Sequence, residues 1–359
     1  PYALGSAGCY IMPERMARQS SKQAITEFVG SGPFRFRVDQ WVSGVRAVYE
    51  RFDKYLPRQE KPEYTSGGKV VHFDGVEWSV QPDPGTAVAA LQTGEVDWID
   101  QPLFDLVPLL KKSDGVSVRK LDPFGLIGII LPNHLYPPFD NPKFRQALFP
   151  AIDQREFVAG VLGDQTEYAT LPVGYFTAGS PLASDAGMER LTGKRDLALA
   201  RKLVKESGYK GEPVLLMDPT DQVQQHAMAQ MTASLFRKLD INVNIMAMDW
   251  GSLLSRRAST KPPAEGGWNC LNTRLTGLDM VNPASIGLRG NGLKGWFGWP
   301  DAPQFVSLRE QWYDAPNLAA QQKITAKEQR AAFDVVPYYP LGQWAQPTAF
   351  RADLDRTRV

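Results

Sequence analysis

The stretch DPGTAVAALQTGEVDWI, residues 83–99, predicts a helix followed directly by a strand. The leading Asp-Pro offers an N-cap and a proline at the first helical position, and Gly94 is placed to end the helix. Val96 to Ile99 fits a strand, and a leucine-rich segment separates it from a second predicted strand at Val116 to Leu121. Alternating helices and strands are typical of an α/β layer, so we expect that fold class.

The chain before this stretch predicts short strands separated by turns. Apolar and polar residues alternate from Pro33 to Val38, Val45 to Tyr49 follows a Ser-Gly pair, and Lys69 to Phe73 follows two glycines. Residues 53–68 are rich in proline, glycine and charge, which predicts an exposed loop. We therefore expect a sheet region in the first third.

The pattern changes at residue 124, where we expect a domain boundary. An uninterrupted apolar strand is predicted from Leu126 to Leu131, followed by a helix beginning at Asn141 and another at Asp153, where Glu156 would complete a capping box. Helices and strands then alternate again. Helices are predicted at 196–207, 301–314 and 317–333, and a further helix carries Met228, Met231, Leu235 and Leu239. Strands are predicted at 214–217 and through the alternating residues Ile241, Val243, Ile245 and Ala247.

Composition excludes several classes of protein. The 359 residues carry 40 basic and 39 acidic side chains, and no Lys/Arg cluster offers the positive surface that nucleic acid requires, so we expect no nucleic-acid partner. The longest strongly apolar stretch, 125–131, is far shorter than the about 20 residues that cross a bilayer. Residues 1–5 lack the order of a signal peptide, and we expect the natural N-terminus to precede them.

The sequence offers no motif for a metal, cofactor or nucleophile. Cys9 and Cys270 have no metal-ligand spacing, and we expect two free thiols, with one long-range disulfide left open in an oxidising compartment. His72, His134 and His226 lie in separate contexts. The motifs of serine hydrolases and of phosphate-binding glycine loops are absent as well.

Carboxylate pairs leave one enzymatic alternative open. Asp97 and Asp100 could in principle perform acid/base chemistry, which keeps a hydrolase of peptides or glycosides as a rival hypothesis. Exposed loop and cap positions are the ordinary role of such carboxylates. We therefore predict that the chain is not an enzyme and has no catalytic residue.

An aromatic cluster in the last third is the main candidate for a binding site. It combines tryptophans with small polar residues, the mixture that lines clefts for small solutes. Core packing is the alternative role for each ring taken singly. The cluster comprises Trp250, Trp268, Trp296, Phe297, Trp299 and Trp344, with Asn272, Thr273, Arg274, Thr276 and Gly277 between them.

Several runs occur in a fixed order along the chain. They are VGSGPF (29–34), ALQTGEVD (90–97), PPFDN (137–141), RQA (145–147), ID (152–153) and GY (208–209). Together these runs resemble the dipeptide, oligopeptide and nickel solute-binding proteins of ABC transporters. The resemblance implies a two-lobed, periplasmic-binding-protein-like α/β fold of type II, with mixed sheets flanked by helices and a ligand cleft between hinged lobes.

The resemblance also implies an organisation of the chain and a role. Residues 1–123 would form the C-terminal portion of lobe I without its N-terminal strands and accessory subdomain, 124–334 would form lobe II, and 335–359 would return to lobe I, starting with a strand at Val335 to Leu341. A monomer would bind a peptide-like solute, opine, sugar or related molecule and deliver it to the permease subunits of an ABC importer. Its location would be periplasmic or extracellular, free or lipid-anchored. A solute sensor that docks on a receptor is the remaining alternative.

Two departures from the family limit the solute. Dipeptide binders place an acidic residue directly after Trp-Thr-Gly, whereas here Leu278 follows Thr276-Gly277 and Asp279 comes one position late. The family's carboxylate-binding arginine is absent from residues 218–222. Both departures weaken a free-dipeptide interpretation, because an unpaired buried charge costs several kcal/mol. The expected solute contacts are Thr273, Arg274, Thr276, Asp279 and Trp296, with Arg274 suited to an anionic ligand.

Overall fold

The structure, a computed structural model, describes residues 11–19, 25–63 and 66–357. These residues form two compact units: a smaller one that extends to Val118 and resumes at Ala349, and a larger one from Arg119 to Thr348. The predicted boundaries were after residues 123 and 334. Cys9 lies outside the described residues, and within them no helix is both long and apolar enough to cross a membrane.

The smaller unit contains two three-stranded sheets. Its helices are α1 (Glu14–Ala17), α2 (Pro84–Thr93) and α3 (Val107–Lys112), and its strands are β1 (Phe34–Phe36), β2 (Arg46–Arg51), β3 (Gly75–Ser79), β4 (Trp98–Ile99), β5 (Val116–Arg119) and β12 (Thr348–Arg351). The sheets run in the orders β1-β2-β3 and β4-β12-β5. A small apolar core of Val88, Leu91, Leu110 and Ala349 joins α2 and α3 to the second sheet.

The predicted helix start at Asp83 is confirmed. The backbone N–H of Thr86 donates to the Asp83 carboxylate over 2.7 Å, and Gly94 ends α2 with φ of 79°. The strand predicted over Lys69 to Phe73 is wrong. Strand β3 begins only at Gly75, because its partner β2 ends at Arg51, opposite residue 74.

The larger unit is built on one six-stranded sheet. Its helices are α4 (Pro142–Ala147), α5 (Gln154–Leu162), α6 (Glu189–Thr192), α7 (Leu197–Glu206), α8 (Val223–Lys238), α9 (Trp250–Arg257), α10 (Pro303–Tyr313) and α11 (Leu318–Val335), and its strands are β6 (Leu126–Pro132), β7 (Ala169–Thr170), β8 (Val214–Pro219), β9 (Val243–Met248), β10 (Cys270–Thr276) and β11 (Tyr339–Trp344). The order is β7-β11-β6-β10-β8-β9. Strand β6 is antiparallel to β10 and β11, whereas β8, β9 and β10 are parallel. The α/β class and its mixed, helix-flanked sheets are therefore confirmed.

A glycine in the middle of β6 lets the sheet pack closely against α8. A Cβ atom at Gly128 would lie 2.8 Å from the sulfur of Met228 and 2.9 Å from the ring of Trp344. Cys270 pairs with Pro132 at the other end of β6 and is a buried free thiol. Burial raises the pKa of that thiol.

Two predicted details change in the structure. Helix α11 continues through Val335 and ends at Val336, which takes a left-handed φ of 57°. The next strand therefore starts at Tyr339 and joins the six-stranded sheet, and the chain returns to the smaller unit only at β12. The capping box at Asp153 is also wrong, since Glu156 forms an ion pair with Arg195 at 2.7 Å.

A carboxyl group is fully buried in the larger unit. Glu328 on α11 is 0% exposed, and neither of its oxygens has a hydrogen-bond partner within the described residues. Burial raises the pKa of Glu328 to about 8, against a small opposing effect from Arg309. The folded protein therefore holds a neutral Glu328 at pH 7.

We predict that Gly128→Ala destabilises the larger unit by about 1–3 kcal/mol, because the added methyl group overpacks the contact with Trp344. Thermal or urea unfolding measures this change. Gly32→Ala is the control, since nothing lies within 4 Å of a Cβ atom there. Equal unfolding midpoints for the two variants would contradict the packing described for Gly128.

We predict that stability falls as pH rises from about 4.5 to about 8, because the unfolded state releases the Glu328 proton before the folded state does. Glu328→Gln removes this slope and raises stability at pH 8 by on the order of a few kcal/mol. Urea unfolding across this pH range measures both effects. Glu310→Gln, an exposed change on α10, is the control. A wild-type slope retained in Glu328→Gln would refute the assignment.

Candidate functional site

The strand ends of the larger unit converge at one edge of its sheet. Strands β8, β9, β10 and β11 end there and β6 begins there, as their pairing directions require. We call this edge the carboxyl edge. In open α/β sheets, ligands bind outside the carboxyl ends of strands, where loops bring polar groups together.

Two predicted contacts, Thr276 and Asp279, lie at the carboxyl edge. The hydroxyl of Thr276 donates to the Asp279 carboxylate over 2.6 Å. Thr276 also caps the single 3-10 turn Gly277–Met280 that follows β10. The pair therefore stabilises its own turn, and one carboxylate oxygen of Asp279 is already occupied by a local donor.

Thr273 and Arg274 are consecutive residues of β10 and point to opposite faces of the sheet. Thr273 is 4% exposed. Arg274 is half-buried, and its Nη1 donates to the side-chain oxygen of Gln224 on α8 over 2.7 Å. Gln224 in turn donates to Gln346 over 2.9 Å. Arg274 is therefore held in a polar network at the carboxyl edge.

Trp296 lies at the opposite edge of the sheet. Its ring lies 6.2 Å from that of Phe297. Phe297 contacts Trp299, and Trp299 contacts Trp268, which lies two residues before the start of β10. The guanidinium of Arg257 stacks 4.1 Å from the Phe297 ring centroid, and burial there lowers the pKa of Arg257. The five predicted contacts thus do not form one cluster.

The aromatic cluster also divides between core and surface. Trp268, Trp299 and Trp344 are buried and pack in the core. Trp250 and Trp296 are half-buried. Trp344 fills the space above Gly128 rather than lining an opening. The tryptophans alone therefore do not define a solute cleft in the larger unit.

The structure adds a polar group that the sequence reasoning missed. Asp218, at the end of β8, is 1% exposed and accepts hydrogen bonds from His226 Nδ1 at 2.8 Å and Gln230 Nε2 at 2.7 Å. His226 and Gln230 are one helical turn apart on α8, on the same face. The signal that could have identified the group is a His and a Gln four residues apart on the helix that follows a buried strand with an Asp near its end.

The other candidate sites are weaker than the carboxyl edge. Asp97, from the hydrolase hypothesis, is an exposed residue of the smaller unit that lies 3.9 Å from Arg351. Among the described residues, no group of three His, Cys, Asp or Glu side chains could hold a metal ion.

An open groove of about 690 Å³ in the larger unit is lined mainly by α4, α6 and α7. Its Arg190 is already paired with Asp334 at 2.6 Å, so the carboxyl edge remains the stronger candidate.

Comparison with known proteins identifies the family to which this sequence is similar. The sequence model of the bacterial extracellular solute-binding proteins, family 5 (middle), matches residues 2–273. A relative from Sinorhizobium fredii (strain NBRC 101917 / NGR234), named as a probable peptide ABC transporter periplasmic-binding protein y4tO, is 33% identical over 357 residues, which cover 99% of this chain and 67% of the relative.

Solved structures share the fold. The Helicobacter pylori periplasmic binding protein DppA in complex with peptide STSA has a TM-score of 0.72 at 19% identity, covering 90% of this chain and 59% of that one. The binding protein AgaA of A. tumefaciens R10 in complex with agropinic acid has a TM-score of 0.70 at 21% identity, covering 90% and 62%. The fold is that of type II periplasmic binding proteins.

The chain spans about two thirds of the length of the Sinorhizobium relative and about 60% of these solved chains. The family match covers well over half of the chain and crosses from the smaller unit into the larger one. This protein belongs to the bacterial extracellular solute-binding proteins of family 5.

Proposed function

We propose that this protein is the substrate-binding component of an ABC importer. It binds a small solute reversibly and delivers it to permease subunits in the membrane, with no covalent step. The observation that carries this proposal is the sequence likeness to the Sinorhizobium relative along almost the whole chain. Solute-binding transport proteins, not enzymes, make up the family that matches.

The carboxyl edge is the proposed contribution of the larger unit to solute binding. Arg274, Thr276 and Asp279 are the predicted contacts that reach this edge, and Gln224 and Gln346 extend their polar surface. Thr273 and Trp296 are less suited, since Thr273 is buried on the other face and Trp296 lies at the other edge. The solute is proposed to be peptide-like, an opine, a sugar or a related small molecule.

Location and assembly follow from the same proposal. A protein that collects solute for an importer works outside the cytoplasmic membrane, so we place it in the periplasm or at the cell exterior. It acts as a monomer that docks on the permease after binding. The permease therefore contacts the protein outside the solute site. For this reason the affinity for solute can be measured on the isolated protein.

We predict that a panel of peptides, opines, sugars and metal chelates contains solutes that bind. Binding to the folded state raises Tm by roughly 3–8 °C at one hundred times Kd, and native mass spectrometry shows a one-to-one complex. Arg274→Gln reduces the shift, whereas Lys143→Gln, in the groove lined by α4, α6 and α7, leaves it unchanged. The proposal fails if no solute binds or co-purifies.

A further inference from the structure

Arg257, the last residue of α9, is a half-buried cation without a counter-charge. Within the described residues its guanidinium forms no hydrogen bond and no ion pair. Burial lowers the pKa of Arg257, and no acidic side chain opposes this effect. Every other arginine that the structure describes as half-buried or buried has a polar partner. These are Arg37, Arg145, Arg190, Arg195, Arg256, Arg274, Arg309 and Arg351.

Aromatic rings hold the Arg257 side chain in place. Its guanidinium carbon lies 4.1 Å from the centroid of the Phe297 ring and 6.0 Å from that of Trp296. The backbone oxygen of Arg257 accepts a hydrogen bond from Trp268 Nε1 over 3.1 Å. Contact with an aromatic face stabilises a cation, but it supplies no negative charge and no hydrogen-bond acceptor in the plane of the guanidinium.

The terminal nitrogens of Arg257 face outward. Nε is buried and has no hydrogen-bond partner within the described residues. Nη1 and Nη2 have no partner there either, and neither is a buried atom, so both reach solvent. Their parallel N–H groups match the two oxygens of a carboxylate. The rings of Trp296 and Phe297 are half-buried, so apolar surface remains beside the charged nitrogens.

The loop that follows α9 is held by the neighbouring Arg256. Its guanidinium donates to the backbone oxygens of Gly267 over 2.9 Å and Pro263 over 3.4 Å. A cation in the last turn also favours the negative end of a helix, and Arg256 supplies that charge as well. These structural roles therefore account for Arg256, whereas the partly buried charge of Arg257 costs free energy that no partner in the protein offsets.

From these contacts we propose that Arg257, Trp296 and Phe297 form a binding site for a carboxylate joined to an apolar group. The carboxylate binds end-on to Nη1 and Nη2, and the apolar group covers the half-buried rings. The site lies at the edge of the sheet opposite the carboxyl edge, so it is separate from the proposed solute contacts. The carboxylate belongs either to a free organic acid or to an acidic side chain of another protein.

The experiment compares two probes of similar shape and different charge. Phenylacetate carries the carboxylate, whereas phenylacetamide carries a neutral amide in its place. An NMR titration of the isotope-labelled protein, followed at the backbone N–H signals of residues 257 and 296, measures both dissociation constants. We expect phenylacetate to bind at least about 10-fold more tightly, the ratio that one charge-assisted contact of about 1.4 kcal/mol produces.

Variants test the assigned residues. Arg257→Gln keeps side-chain N–H donors but removes the charge, so it should lower the preference for phenylacetate about 10-fold. It should not lower Tm, because it removes a charge that has no partner. Trp296→Ala should weaken both probes by similar factors. Arg237→Gln is the matched control and should leave the preference unchanged, because Arg237 also lies in the last turn of a helix, α8, but is exposed.

A second pair of probes distinguishes the two sources of the carboxylate. N-acetyl-Phe-Glu-Phe amide presents the acid on a side chain, and N-acetyl-Phe-Gln-Phe amide is its neutral counterpart. Tighter binding of the Glu peptide than of phenylacetate identifies an acidic segment of a partner protein. Binding of phenylacetate without binding of the Glu peptide identifies a free organic acid.

The outcomes are separate from those of the solute panel. Equal binding of acid and neutral probe in both pairs, or a preference that Arg257→Gln leaves unchanged, would overturn the site while leaving solute binding intact. A preference that Arg257→Gln abolishes, and that Arg237→Gln retains, supports the site. Arg274→Gln, which tests the proposed solute contacts, should not affect this preference.

Discussion

Strand β6 pairs along its whole length with β10 on one side and over Leu126–Ile130 with β11 on the other. Both neighbours run antiparallel to it, so both end beside its first residue, Leu126. The side chains of β6 are buried on both faces, and Gly128 specifies the register, because a shift by one residue would place a larger side chain against Trp344 and Met228. The carboxyl edge, with Thr276 from β10 and Gln346 after β11, exists because of that register.

The close packing of α8 depends on the same strand. Gly128 leaves space for Trp344 and Met228, and this contact sets how near α8 lies to the sheet. The first turn of α8 then brings Gln224 to Arg274, and His226 to Asp218. The lack of a side chain at Gly128 therefore determines which polar groups come into contact at the carboxyl edge.

Features that depend on neighbouring residues could be predicted from the sequence, and features that depend on distant ones could not. The helix starts at Asp83, Asn141 and Asp153 are set by side chains within three residues, and all three are confirmed. Glu156 was assigned to its own helix start, but Arg195, distant in sequence, takes its carboxylate. The strand predicted at 69–73 lacked a partner of sufficient length, which composition does not reveal.

The candidate site shows the same division. Order and spacing of short runs identified the family, but Thr273 and Arg274 could be separated only once the strand and its register were known. The sequence contains Asp218 and His226, but it does not show that β8 and α8 bring the two side chains into contact.

Cys270 has a practical consequence. Its thiol is fully buried where β10 pairs with β6 and β8, and burial disfavours the thiolate that reagents attack. Alkylation of Cys270 therefore requires the central strands to separate. In a background lacking Cys9, the rate of labelling would report how often this sheet opens, and hence the free energy of its local unfolding, without an added probe.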